Sequence, residues 1–147
     1  MESFANCSNQ KFYCPRTEEA GVRHLNLTFR EIEIPPRKTN YFCMTFDLPK
    51  DQDYFLIGDE PIIDNAELLH HILVYGCTHD IDNEIVTPVP CSMKTPTDHD
   101  CPQLIGLWSV GNAGTCLIND TGFLIGEFGF KRIFVQASRI NFMGEEL

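Results

Sequence analysis

The chain has 147 residues, 43% hydrophobic, 11% aromatic and 22% charged, which supplies enough apolar mass for one globular domain and rules out disorder for most of its length. Eleven Lys and Arg against 21 Asp and Glu leave a formal net charge of −10, a field that repels phosphate backbones and anionic headgroups, so nucleic acid is not an expected partner. Every apolar run is cut by a polar residue well short of the roughly 18 that a bilayer span needs, and no membrane span is expected.

Residues 1–29 are polar, have no sustained period and read as an irregular N-terminal arm. The first ten residues carry neither a cationic start nor an apolar core, so no secretory signal is visible. Cys7 and Cys14 bracket Lys11-Phe12-Tyr13, and a short bridge between them is expected. From Arg30 to Ile34 polar and apolar residues alternate until Pro35-Pro36, the pattern of a short edge strand. Phe42, Met44, Phe46 and Leu48 then alternate with Cys43, Thr45 and Asp47, which predicts a half-buried strand.

Leu68 to Tyr75 is the longest strand-like run, closed by Gly76, and is expected at the centre of a sheet. Residues 78–100 are rich in Asp, Pro and Thr and form a long surface loop that needs a covalent staple. Leu104–Val110, Phe123–Gly126 and Arg132–Ser138 complete the strand-like segments. There is no useful 3.6-residue period and no internal repeat. The fold class is all-β: a disulfide-stapled antiparallel β-sandwich, jelly-roll-like, expected over residues 30–147.

Seven cysteines, at positions 7, 14, 43, 77, 91, 101 and 116, favour an oxidising compartment, and the sequons at Asn6, Asn26 and Asn119 point the same way, to a secreted glycoprotein. With no signal visible, the chain reads as part of something longer. No C-x-x-C pair, G-x-S-x-G elbow or glycine-rich phosphate loop is present. His24, His79 and His99 lie in arm or loop segments without metal-ligand spacing, and Asp98-His99-Asp100 reads as a solvated cluster.

His70-His71 is the constellation that carries chemistry, because two adjacent imidazoles interrupt an apolar strand. Neighbours on a regular strand leave opposite faces, but an ion near a strand edge can be approached from both sides, which suits the low coordination number of Cu(I) better than the Zn(II) tetrahedron. The residues alone leave a second reading open, in which one histidine is buried and hydrogen-bonded and the other exposed.

The string Ile34-Pro35-Pro36, Thr39-Asn40-Tyr41-Phe42-Cys43-Met44, Leu48-Pro49 and Leu69-His70-His71-Ile72-Leu73-Val74-Tyr75-Gly76-Cys77 resembles the N-terminal domain of the copper type II, ascorbate-dependent monooxygenases. The likeness continues through Cys91, Cys101 and Leu107-Trp108-Ser109-Val110-Gly111 to about Gln136. It implies a β-sandwich in which His70 and His71 ligate the electron-transferring copper, the H site, with ascorbate as electron donor. A third histidine is implied on the strand Arg132–Ser138, where this chain has Ser138, a hydroxyl that suits soft Cu(I) poorly. The resemblance further implies the bridges Cys43–Cys91 and Cys77–Cys101, each worth roughly 3.5 to 4 kcal/mol in the chain-entropy model; with Cys7 paired to Cys14, Cys116 is left odd. The oxygen-activating copper of the family belongs to a C-terminal catalytic domain, an expected partner that this chain has no room for. The intact protein would hydroxylate an amine or peptide substrate, and this chain alone would not. The alternative is a degenerate, non-enzymatic secreted binding or interaction module that keeps the scaffold and has lost copper redox chemistry.

Overall fold

The computed structural model describes residues 11–36, 39–79, 84–98 and 100–140. Among the described residues nine strands follow in order: β1 (Thr39–Asp47), β2 (Tyr54–Leu56), β3 (Gly58–Asp59), β4 (Leu69–Cys77), β5 (Val89–Pro90), β6 (Gln103–Ser109), β7 (Thr115–Cys116), β8 (Phe123–Ile125) and β9 (Arg132–Ile140), with a short helical turn α1 (Thr95–Asp98) between β5 and β6. A main sheet has the order β5-β1-β9-β4-β6, and two ribbons, β2-β8 and β3-β7, stand apart from it. All the strand pairs are antiparallel. None of the helices among the described residues is long and apolar enough to cross a membrane.

Alternation along β1, β4 and β9 sorts side chains onto two faces of the main sheet. Cross-strand partners share a face, so Phe46 with Ile133 and Val74 with Val135 lie together on the inner face. There they join Leu48, Ile105, Ile125 and Phe130 in a cluster against Tyr54, Leu56 and Phe123 of the β2-β8 ribbon. This is the sandwich core. At its other end Leu69, Trp108 and Ala137 pack with Phe29, Ile63 and Ile72. Gly76 is required on β4 because a Cβ there would lie 2.5 Å from the ring of Phe130, which is buried in the core.

The outer face is not left to solvent. Residues 84–98 and 100–102 cross it, with Cys43 of β1 bonded to Cys91 and Cys77 of β4 bonded to Cys101. These cysteines pack around Phe134, which is fully buried. β1 is therefore covered on both sides rather than half-buried. Arg132 closes this end as a buried cation whose Nη2 lies 2.7 Å from Asp47 and 2.5 Å from Glu84.

Three expectations need correction. Residues 30–34 form no strand, because no described segment pairs with them and the backbone runs irregularly into Pro35-Pro36. The centre of the main sheet is β9, with β4 beside it. Cys14 is bonded to Cys116 across 102 residues and not to Cys7, which lies outside the described residues. The reason is the path of the arm. A 3₁₀ turn at Pro15–Glu18 lies beside the β7–β8 connection, where the Arg16 guanidinium donates to the carbonyls of Leu117, Ile118 and Thr121 at 3.3, 2.6 and 2.7 Å. Farther along, Arg23 stacks over Tyr54 of β2 and donates to its hydroxyl. The arm is thus laid along the second layer, which brings Cys14 to β7.

Candidate metal centre

Both His70 and His71 belong to β4, an interior strand flanked by β6 and β9. Approach to a common ion from the two sides of an edge is therefore closed to them. A β-bulge supplies another route. Leu69 pairs with Arg139 and His71 with the next residue back, Ser138, so one extra residue, His70, is inserted between them. On a regular strand Leu69 and His71 would share a face; the bulge turns Leu69 to the inner core and His71 to the outer face.

Alternation fails at the one point where the two imidazoles meet. Their Nδ1 atoms lie 3.0 Å apart, and the rings stand edge to face with centroids 5.2 Å apart. At that separation one Nδ1 can donate to the other, or the two can offer converging lone pairs to a single ion. Metal–imidazole bonds of about 2 Å span that gap.

The surroundings of His71 are set by register. Tyr41 of β1, Ser138 of β9, His71 of β4 and Ser109 of β6 form one row across the sheet, with Tyr41 paired to Ser138 and His71 paired to both serines. Ser138 is buried and small, and across it the Tyr41 ring comes to 6.3 Å from His71, tilted by 51°. In the next row Gln136 is fully buried, its Nε2 donating to the Ser92 carbonyl at 2.9 Å. The buried His71 Nε2 and Gln136 Oε1 have no hydrogen-bond partner among the described residues. The facing Nδ1 pair is the feature that fits a metal ligand, since an imidazole bound through Nδ1 carries its proton on Nε2.

Burial, and next the neighbouring His70 charge, push the His71 pKa below its ordinary value. A histidine whose folded pKa is depressed binds fewer protons folded than unfolded, so its contribution to stability is complete above the unfolded value of about 6.5 and is lost as pH falls below it. The apo chain is expected to lose stability in that window, above the range where carboxylates titrate. Urea unfolding at a series of pH values checks this, and the loss should be smaller in His71→Ala.

Donor chemistry fits copper in part. Two neutral imidazoles suit Cu(I), but no group of three or more His, Cys, Asp or Glu side chains gathers among the described residues. The position facing His71 is Ser138. His24 and His79 are exposed, and His99 lies outside the described residues. Sequence reading reached the histidine pair and Ser138 but missed Tyr41 and Gln136, which period-2 counting outward from Ser138 along β9 and across to β1 would have found.

An all-strand, disulfide-stapled sandwich presenting paired histidines on a bulged strand is the class of domain that the fold and the site define. The family model of the copper type II ascorbate-dependent monooxygenase N-terminal domain matches residues 25–136, and the chain belongs to that family. It is 26% identical over 118 residues to DBH-like monooxygenase protein 1 of Gallus gallus, covering 73% of this chain and 18% of the relative. Against dopamine beta-hydroxylase of Homo sapiens the identity is 29% over 106 residues, covering 69% and 17%. DBH-like monooxygenase protein 1 of Mus musculus is 30% identical over 110 residues, covering 70% and 18%. The chain thus spans less than a fifth of the length of these relatives.

Proposed function

We propose that this chain is the copper-binding, electron-transfer domain of a secreted, ascorbate-dependent monooxygenase, with His70 and His71 as the ligands of the H-site copper. The observation that carries the reading is the 3.0 Å approach of the two Nδ1 atoms. When bound, copper supplies one-electron redox chemistry with ascorbate as donor. The chain's own residues hold the two imidazoles convergent with the Tyr41 ring beside that of His71, and two bridges fasten the outer face of the sheet to the segment that covers it. Hydroxylation of an amine or peptide is assigned to the intact protein, in which a C-terminal catalytic domain is the partner, and this chain alone is not expected to turn over. The family name and the printed name of the hydroxylase relative support this reading.

A second reading rests on Ser138: a module that keeps the sandwich, binds copper weakly or not at all, and serves as a secreted interaction domain. Competition of the oxidised chain with a Cu(I) chelator separates the two. We expect one Cu(I) per chain, with affinity lowered by about 100-fold or more in either His70→Ala or His71→Ala, since even outer-shell partners command 10- to 100-fold. Wild-type binding equal to that of both variants would leave the interaction module as the function.

A further inference from the structure

We propose that Asn119 carries an N-linked glycan, on the side of the domain opposite the outer face that bears His71. Asn119-Asp120-Thr121 is a sequon in the connection from β7 to β8. Ile118 to Thr121 forms a β-turn, closed by the Thr121 amide donating to the Ile118 carbonyl at 3.2 Å and the Thr121 hydroxyl donating to it at 2.6 Å. Asp120 takes a positive φ of 60°, as the third residue of a type II turn requires. Asn119 therefore occupies a corner position at the tip, and it is exposed.

Two further features single out this tip. Ile118, beside it, is 76% exposed, an aliphatic surface that an attached oligosaccharide would cover. The loop is also fastened at its base by Arg16 and the Cys14–Cys116 bridge. Three disulfides belong to the oxidising lumen where glycan transfer takes place. In that transfer the Asn119 amide nitrogen bonds the anomeric carbon of a lipid-pyrophosphate-linked oligosaccharide. The carbon–oxygen bond to the carrier breaks, the amide loses one proton, and the lipid pyrophosphate leaves. The sequon at Asn26 is exposed as well, but it has neither the turn nor the fastening.

The position has a consequence for assembly. The β7–β8 connection and the arm that grips it belong to the second layer, which packs on the inner face, whereas His71 lies on the outer face. A glycan on Asn119 thus lies away from the histidine pair and closes the loop tip to a partner.

The test is to produce the full chain behind a cleavable leader in a eukaryotic secretory host and release glycans enzymatically in heavy-oxygen water before peptide mass analysis. Labelled aspartate at position 119 in most of the folded protein, absent in Thr121→Ala and retained in Thr121→Ser, is the expected result. Should a variant be retained in the cell, the same peptide is read from the lumenal pool. Unlabelled Asn119 in wild-type protein with its three bridges intact would overturn the proposal. The readout involves neither copper nor the histidines, so its failure leaves the copper reading standing, and the reverse also holds.

Discussion

Replacing Cys14 and Cys116 together by Ser is expected to lower the unfolding free energy by about 4.7 kcal/mol, the chain-entropy value for a closed loop on the order of 100 residues. The two cysteines lie 102 residues apart in sequence, so their bridge restrains more of the unfolded ensemble than Cys43–Cys91 or Cys77–Cys101, whose separations are 48 and 24. The urea midpoint should fall and the m-value should rise as the unfolded state expands. The Arg16 contacts to three carbonyls remain in the variant, so the arm should loosen without full detachment. Copper affinity should hold, because the bridge fastens the second layer while His71 lies across the main sheet. A midpoint equal to wild type would mean that the bridge does not form in solution.

Ser138→His is expected to act in the opposite sense on metal and fold. Ser138 is directly paired with His71 and shares its face, so an imidazole there adds a third nitrogen beside the existing two. Cu(I) affinity should rise by on the order of 10- to 100-fold. Ser138 is also almost fully buried, and the larger ring is expected to cost about 1 to 3 kcal/mol of overpacking. Chelator competition and urea unfolding on the same preparation read both effects. Lower stability with unchanged copper affinity would show that position 138 does not face the ion.

Much of the fold was legible because alternation is a direct imprint of burial. Phe42, Met44 and Phe46 mark the inner face of β1, with Leu48 just beyond it, and Val135 and Ile133 answer them on β9. Residues 30–34 alternate equally well and are not a strand, since a ladder needs a neighbour and periodicity says nothing about whether one exists. Cysteine pairing was legible only where the family resemblance applied. Cys14 is close to Cys7 in sequence, yet its partner was decided by where the arm runs, which spacing cannot encode.

At the site, the chemistry was written in the residues and its geometry was not. His70-His71 announces two imidazoles, but a regular strand would have sent them apart. The bulge between Leu69 and His71 follows from two demands: Leu69 is drawn into the core with Trp108 and Ala137, and His71 pairs with Ser138 on the other face. Both demands belong to tertiary packing.

X-ray absorption at the copper edge of the Cu(I)-loaded chain tests most directly whether one ion is held by both rings. The account predicts one copper per chain with first-shell nitrogen and the multiple scattering of two imidazoles, reduced to one in His71→Ala. Scattering from a single imidazole in the wild-type chain, or none, would contradict it.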